Sequence, residues 1–465
     1  MKKLSFMDSS WFQLESSETP MHVGGLQIYT YPEDASEDYL KDLIKKMVDV
    51  NSVRFPFNVK LKMGLGGLSN QWIEDPKLDL DYHVSHLALP KPGKVRDLLV
   101  LVSQLHAQLM DRTRPLWETY VIEGLEGNRF VLYTKIHHSL IDGVAGMKLM
   151  QASLTKDKDD RDLPPPWAER PAATKDKKPR KRPAKNADDI GTDGALVSAI
   201  VAQLSEQFGT MQGLGAVGKD IIKKLRNPDF AGSVAPYQAP KSILNQRIGR
   251  ARRFAAQSYS LSRIKAIGKK NGATLNDVVM GMCGGALRSY LLEQNALPSE
   301  PLIANVPVSI RPADGASTGN AITTILGNLG THEADPLTRL GIIKKSMTDE
   351  KKKLSRMSKS EILIYTILVN LPFTVGQVAN IAGHVKPMYN VVISNVPGPS
   401  EALFYNGAEL QANYPVSLLF NGQGINITLT SYQDRIDVGI IACRDTVPHV
   451  QRLLDFFEAA LAELE

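Results

Sequence analysis

The spacing of apolar and polar residues predicts strands and helices that alternate along the chain. Residues 130–136 are β-branched and aromatic enough to form a buried strand, which runs directly into a polar cluster of His137, His138, Asp142 and Gly143. Because neighbouring side chains of a strand point to opposite faces, at most one of the two histidines can face a given cavity. The other histidine is therefore expected to be structural.

Further periodic segments lie on both sides of this cluster. The other predicted strands are at 21–29, 78–89, 119–123, 302–310, 319–331, 390–395, 416–420, 425–431 and 436–442. The predicted helices are at 39–53, 95–110, 144–154, 196–225, 261–271, 274–292, 335–354 and 447–464. The turn at 126–128 predicts a hairpin whose second strand carries the histidines. The fold class is accordingly α/β or α+β.

Length and local composition indicate two domains. The chain has 465 residues, which is too long for one ordinary core. From Lys156 the sequence becomes rich in Pro, Lys and Asp and loses its apolar period. We therefore predict a first domain at 1–155, a crossover linker at 156–249 and a second domain at 250–465.

Net charge and cysteine content indicate the cellular environment and the kinds of partner that the chain could have. The net charge is +6, and much of the excess lies in the basic run 175–185. Such a run can meet nucleic acid, an anionic membrane or phosphorylated molecules, or form a solvated linker. Two cysteines in apolar contexts and the absence of a signal-like start predict a cytoplasmic protein. Polar residues interrupt the apolar segment 362–382, which predicts peripheral membrane contact at most.

The polar cluster after the strand allows three kinds of chemistry. Histidine and aspartate are metal ligands, but no third ligand stands nearby, so no metal is predicted. A buried, purely structural histidine pair is a second possibility. The third possibility, general-base catalysis, is favoured, because a histidine with a reference pKa of about 6.5 can accept a proton from a hydroxyl nucleophile. His22, His83 and His86, which lie in other predicted strands, are expected to be structural or at a rim.

The cluster and its companions resemble a known family. The segment 137–143, HHSLIDG, resembles the HHxxxDG motif of the CoA-dependent acyltransferase superfamily, which includes chloramphenicol acetyltransferase and peptide-synthetase condensation domains. Its companions are DSSW at 8–11, PMHVGGL at 20–26, LDYHV at 80–84, PLWE at 115–118, LNDVV at 275–279, PVSIRP at 307–312 and NVPGP at 395–399. Together they resemble the bacterial wax ester synthase/acyl-CoA:diacylglycerol acyltransferase family everywhere except in the linker.

The same residues also fit the motif spacing of a second acyltransferase class. Glycerol-phosphate acyltransferases use a His-x-x-x-x-Asp spacing, which His137 and Asp142 also satisfy. That class is expected to carry a downstream phosphate-binding motif and membrane-spanning helices, and the sequence offers neither. The glycine after the aspartate and the companion motifs favour counting from His138.

The resemblance implies a fold and a set of site residues. The implied fold has two domains of the chloramphenicol acetyltransferase type, each a mixed sheet covered by helices, with a catalytic tunnel between them. The catalytic set is then His138 as general base, Asp142 as a structural brace and Asn276 as a donor to the oxyanion or a brace for the base. The supporting residues are His137, Gly143, Asp277 and Arg311. By analogy Arg311 pairs with Asp142, and Asp277 is at least as well explained as a helix cap.

The implied activity is an O-acyltransferase that needs no cofactor. Fatty acyl-CoA is the donor substrate, and a long-chain alcohol or diacylglycerol is the acceptor. The resemblance also implies contact with a membrane or lipid-inclusion surface and no nucleic-acid partner. Two alternatives stay open: a same-fold transferase for another hydroxyl acceptor, and a non-catalytic protein that binds lipid inclusions.

Overall fold

The computed structural model describes residues 2–4, 6–64, 70–141, 143–169, 234, 238–309, 322–357 and 359–465. Most of the predicted linker lies outside these ranges. The basic run 175–185 and the helix predicted at 196–225 therefore remain predictions. Asp142 and Arg311, together with the pairing expected between them, also lie outside the described residues.

Strands and helices follow one another through both halves. The strands are β1 (Lys2–Lys3), β2 (His22–Thr30), β3 (Val59–Lys62), β4 (Gln71–Glu74), β5 (Val84–Ala88), β6 (Trp117–Leu125), β7 (Arg129–His137), β8 (Arg252–Ser260), β9 (Ile303–Ser309), β10 (Ile322–Asn328), β11 (Val391–Val396), β12 (Phe404–Tyr405), β13 (Ala408–Val416), β14 (Ile425–Tyr432) and β15 (Arg435–Cys443). The helices are α1 (Phe6–Leu14), α2 (Tyr39–Val48), α3 (Leu80–His83), α4 (Val95–His106), α5 (Gly143–Ala152), α6 (Leu261–Lys270), α7 (Leu275–Glu293), α8 (Pro336–Ser355), α9 (Lys359–Val378) and α10 (Arg452–Leu464).

Two six-stranded mixed sheets form the two halves. The first has the order β12-β13-β2-β7-β6-β5, with β7 between β2 and β6 and with β5 parallel to β6. The second has the order β10-β9-β11-β14-β15-β8, in which β11 runs parallel to both of its neighbours. A small sheet, β1-β4-β3, lies beside the first. The predicted mixture of strand and helix is confirmed, as is the hairpin of β6 and β7.

The later half of the chain completes the first sheet. Strands β12 and β13 belong to the predicted second domain, but β13 pairs antiparallel with β2. Helix α4 of the first half packs on β8 of the second, where the Phe254 N–H donates to Ser103 Oγ at 2.8 Å. One apolar cluster contains residues of both halves, including Val102, Tyr133, Phe254 and Ile441. The halves therefore share a strand and a core rather than meeting as separate bodies.

Two predicted segments differ from the structure, and strand β8 was not predicted from the sequence. The strand predicted at 78–89 begins only at Val84, because Leu80–His83 forms a helical turn in which the His83 ring stacks on Trp117. The segment 417–420 leaves β13 without forming a strand of its own. Strand β8, RRFAAQSYS, lacks the alternation that would have predicted it, and pairing with β15 along its whole length determines its conformation.

Helix α9 is the most apolar helix of the second half. It has 20 residues and covers part of the predicted segment 362–382. Asn370, Pro372 and Gln377 interrupt its apolar run. Within the described residues, no helix is long and apolar enough to cross a membrane.

Candidate active site

His138 is the first residue after β7, and two contacts hold it there. Its backbone N–H donates to the Met21 carbonyl at 2.8 Å, which ties the end of β7 to the residue before β2. Its ring stacks on the Trp11 indole, with the ring centres 4.1 Å apart. Trp11 is supplied by α1, so the DSSW segment and the histidine motif meet in space. The His138 side chain is half-buried.

The neighbouring His137 ring is buried in a different environment. It stacks almost parallel on Phe12, the residue after Trp11, at 4.4 Å. The Ser139 N–H donates to its Nδ1 at 3.2 Å, and Ser139 Oγ lies 2.6 Å from the same nitrogen. Because Nδ1 accepts a hydrogen bond, the neutral ring carries its proton on Nε2. That nitrogen lies 3.5 Å from Glu15 Oε1, an ion-pair distance that is long for a hydrogen bond.

Glu15 connects this ring to the loop after α4. Its carboxylate receives two hydrogen bonds from Arg112, at 3.0 and 2.8 Å, and one from the Met21 N–H at 3.1 Å. Burial by itself would raise the pKa of the Glu15 carboxyl. His137, Met21 and Arg112 outweigh that effect and hold the pKa below its ordinary value. Glu15 is therefore an ionised anchor at the N-terminal side of the site.

Two more histidines lie deeper on the same face of the first sheet. His22 pairs with His137 across β2 and β7, is fully buried, and donates from Nε2 to the His106 carbonyl at 2.8 Å. His106 Nε2 donates to the Ser417 carbonyl at 2.7 Å, and its Nδ1 accepts from the Tyr133 hydroxyl at 2.7 Å. Burial lowers the pKa of His106 to about 3. Burial, followed by the charges of His106 and Lys135, puts the pKa of His22 well below its ordinary value.

A buried ion pair lies on the same face, three residues before His138. Lys135 Nζ is fully buried and lies 2.9 Å from Glu118 Oε2. It also donates to the carbonyls of Leu105 and Gln108 at 3.1 and 3.2 Å. The Tyr120 hydroxyl donates to the same Glu118 oxygen. Burial lowers the pKa of Lys135, although Glu118 opposes the shift. Lys135 thus fixes β7 to the end of α4, and the glutamate of the PLWE segment balances its charge.

The first turn of α7 contains the two predicted residues of the second half. Thr274 caps the helix by accepting from the Asp277 N–H at 3.2 Å, and Asp277 Oδ2 accepts from the Thr274 N–H and hydroxyl at 2.9 and 2.7 Å. This capping box accounts for buried Asp277, as expected from the sequence. Asn276 is half-buried beside it, and no hydrogen bond or ring contact joins it to His138 in the described part of the chain.

Three further residues from the sequence analysis lie on α5, α3 and β5. Gly143 begins α5. His83 is buried and its Nδ1 donates to the Trp117 carbonyl at 2.7 Å, whereas half-exposed His86 lies 3.4 Å from Glu123. Across the described ranges, no group of three or more His, Cys, Asp or Glu side chains is arranged to hold a metal ion.

Aromatic rings of the second half approach His138 from the side of Trp11. The Phe420 ring lies 6.2 Å from the Trp11 ring, and the Phe373 ring on α9 lies 5.4 Å from Phe420. Sequence reasoning missed this line of rings and also missed Glu15, Arg112 and His106. One signal was present in the sequence. Lys135 interrupts an otherwise apolar strand, which indicates a buried charge with a partner.

The second half of the chain contributes a strand to the sheet of the first half, and a histidine follows a central strand where the halves meet. This arrangement is typical of the CoA-dependent acyltransferase fold. The structure of the first condensation domain of the CDA synthetase has this fold with a TM-score of 0.56, covering all of this chain and 95% of that chain. The two sequences are 13% identical, so this likeness shows the fold alone.

The sequence comparisons define the family. The model of the wax ester synthase/diacylglycerol acyltransferase catalytic domain matches residues 4–279, and that of the C-terminal domain of the same family matches residues 318–465. The chain belongs to the wax ester synthase/diacylglycerol acyltransferase family.

Individual relatives match over almost the full length. O-acyltransferase WSD of Acinetobacter baylyi is 44% identical, with 100% of this chain and 97% of the relative covered. A probable diacylglycerol O-acyltransferase of Mycobacterium tuberculosis is 42% identical, with 98% and 97% covered. The structure of the wax ester synthase/diacylglycerol acyltransferase from Marinobacter aquaeolei VT8 is 39% identical, covers 100% of this chain and 99% of that chain, and has a TM-score of 0.80.

Proposed function

We propose that this protein transfers a long-chain fatty acyl group from acyl-CoA to the hydroxyl of a long-chain alcohol, giving a wax ester, and also to diacylglycerol. Family membership over the whole chain supports the reaction class. The proposal for the base rests on one observation. Of the four histidines grouped at the ends of β2, α4 and β7, three are buried, and His138 is half-buried.

The surroundings of the other three histidines argue against a base role for them. Both ring nitrogens of His106 are engaged by protein groups, and its pKa of about 3 disfavours proton uptake near neutral pH. The fully buried His22 has a depressed pKa as well. The His137 ring is enclosed by Phe12, Ser139 and Glu15. His138 is the histidine of this group whose side chain is accessible to a substrate.

The proposed reaction proceeds without a covalent acyl-enzyme. His138 takes the proton of the acceptor hydroxyl while the hydroxyl oxygen attacks the thioester carbonyl. The tetrahedral oxyanion then collapses, the carbon–sulfur bond breaks, and the CoA thiolate recovers the proton from His138. A thiol of pKa about 8.5 is a far better leaving group than an alkoxide, so activation of the alcohol is the step that needs a base.

Three further roles belong to the same proposal. Asp142 braces the loop that holds His138, Arg311 of the second half pairs with Asp142, and Asn276 donates to the oxyanion or supports the base. No cofactor or metal is required. We also propose that the protein works at a membrane or lipid-inclusion surface, because long-chain alcohols and diacylglycerol are concentrated there rather than in water.

The test follows free thiol from palmitoyl-CoA with and without hexadecanol. Thiol release that requires the alcohol, and that falls about a hundredfold or more in His138→Ala, supports the proposal. His86→Ala is the matched control, because His86 is half-exposed and away from the cluster. Unchanged release in His138→Ala would falsify the base assignment. No release with any hydroxyl acceptor would favour a non-catalytic lipid-inclusion protein, and unaltered activity in a chelator would exclude a metal.

A further inference from the structure

Four apolar side chains are exposed within one short segment at the end of α9. We call Val375, Val378, Ile381 and Val385 the α9 apolar patch. The first two lie one turn apart on α9, and the other two follow in the turn that ends it, where the Ile381 N–H donates to the Gly376 carbonyl. Single exposed apolar residues are ordinary on a protein surface, whereas a contiguous group marks an interaction site.

The charge around the α9 apolar patch is positive. Residues 362–400 contain no Asp or Glu. Lys386, which follows Val385, is exposed. Arg247 donates to the carbonyl and side-chain oxygens of Asn380 at 3.2 and 2.8 Å, and Glu18 lies 3.6 Å from this guanidinium. An apolar surface bordered by cations is complementary to anionic lipid head groups above acyl chains.

The α9 apolar patch adjoins a small cavity on the second half of the chain. Among the residues that line this cavity are Phe373, Gly376, Val385 and Tyr389. Val385 thus belongs to both the patch and the cavity wall, and Phe373 begins the line of rings that passes through Phe420 and Trp11 to His138. Helix α1, which carries Trp11, also packs against α9. A line of packed aromatic rings therefore connects the wall of this cavity with the candidate base.

We propose that the α9 apolar patch docks on an anionic lipid surface, and that the long-chain acceptor enters from that surface along Phe373, Phe420 and Trp11 to reach His138. This inference rests on the proposed function, and it identifies where the lipid partner of that site binds. Apolar side chains that enter the acyl boundary provide most of the binding, while the exposed Lys386 attracts the head groups. The acceptor then remains out of water throughout its transfer.

The test uses the full-length protein with vesicles of phosphatidylcholine alone or with phosphatidylglycerol added. The variant Val378→Asp/Ile381→Asp changes two patch residues that are 50% and 46% exposed and do not line the cavity. The control Leu292→Asp/Leu337→Asp changes two apolar residues that are 51% and 54% exposed on α7 and α8. Co-sedimentation gives binding, and thiol release gives activity with hexadecanol in vesicles and with hexanol in solution.

The proposal predicts that the patch variant loses about tenfold or more in binding to anionic vesicles, while the control binds as wild type does. Turnover of vesicle-borne hexadecanol falls in parallel, and turnover of dissolved hexanol stays within about twofold. Lys386→Glu, which leaves the apolar surface intact, reduces binding to anionic vesicles more than to phosphatidylcholine vesicles. This single substitution serves as the second test if the double variant does not fold.

Other results overturn the proposal in distinguishable ways. Vesicle binding that is equal in wild type, patch variant and control means that the patch is not the docking surface. A change of oligomeric state in the patch variant, without loss of vesicle binding, assigns the patch to a second copy of the chain. If the patch is protected from proteolysis, and deletion of residues 170–233 removes this protection, the patch is covered by that segment and not by lipid. Vesicle binding without any acyl transfer by wild type overturns the proposed function but not the docking surface.

Discussion

His137 and His138 are neighbours in the sequence but lie in opposite environments. His137 is enclosed by Phe12, Ser139 and Glu15 on the buried face that also contains His22, His106 and Lys135. His138 is half-buried, and its ring is in contact with the face of Trp11. The strand ends between them, so the His137 ring is buried in the interior and the His138 ring lies where the two halves meet. The buried face supplies rigidity, and the Trp11 side provides access for substrate.

The largest expected effect is on the buried face. Lys135→Ala removes the cation beside the largely buried Glu118, which keeps only the Tyr120 hydroxyl as a donor among these contacts. We therefore expect it to lower the free energy of unfolding by about 3–5 kcal/mol. Urea denaturation measures this change. The double variant Lys135→Met/Glu118→Leu removes both charges and is expected to recover part of the loss. A cost below about 1 kcal/mol for Lys135→Ala would show that the pair does not stabilise the fold.

Acid should weaken the same face before it affects the rest of the fold. The folded-state pKa of His106 is about 3 and that of His22 is also depressed, whereas both unfolded-state values are near 6.5. Between these values the unfolded chain binds more protons, so stability is full above pH 6.5 and is lost as the pH falls below it. The expected loss is about 1.4 kcal/mol per pH unit for each histidine.

The variant His106→Gln keeps a donor for the Ser417 carbonyl and removes one titrating ring. We expect it to lose less unfolding free energy than wild type between pH 6.5 and 5.5, because one of the buried rings that take up a proton on unfolding is gone. An unfolding free energy that stays constant over this interval in wild type would mean that these histidines are not buried as neutral rings.

The smallest expected effects are on stability and kcat in the first turn of α7, where they distinguish a capping residue from a proposed catalytic residue. Thr274→Ala removes the capping hydrogen bond and is expected to cost about 1 kcal/mol of stability with little change in kcat. Asn276→Ala, which removes the proposed donor to the oxyanion, is expected to lower kcat by about tenfold or more. Equal losses of kcat in both variants would contradict the assignment of separate roles.

Much of the fold could be predicted because the local patterns are strong. Strand β7 follows from its β-branched and aromatic composition, and helix α4 from the helical spacing of its apolar residues. The capped start of α7 follows from the Thr274–Asp277 pair. The helical turn at Leu80–His83 could not be predicted, because the bond of His83 to the Trp117 carbonyl overrides a strand-like sequence. The pairing of β13 with β2 joins residues almost 400 positions apart, and no local pattern carries such a contact.

The candidate site was predicted in part for the same reason. The motif identified His137 and His138 but not the residues that distinguish them. Trp11 and Phe12 of α1, and Glu15 just after it, lie more than 120 residues earlier in the chain. The aromatic line from Trp11 to Phe420 and Phe373 is a contact between halves, and it is visible only once the chain is folded.

The most direct test of this account compares His138→Gln with His137→Gln in kcat and in thermal midpoint. The account predicts that His138→Gln lowers kcat by roughly a hundredfold to ten-thousandfold with little change in midpoint. It predicts that His137→Gln costs about 1–3 kcal/mol of stability and keeps kcat within about tenfold of wild type. A His138→Gln enzyme with wild-type kcat would contradict the central claim.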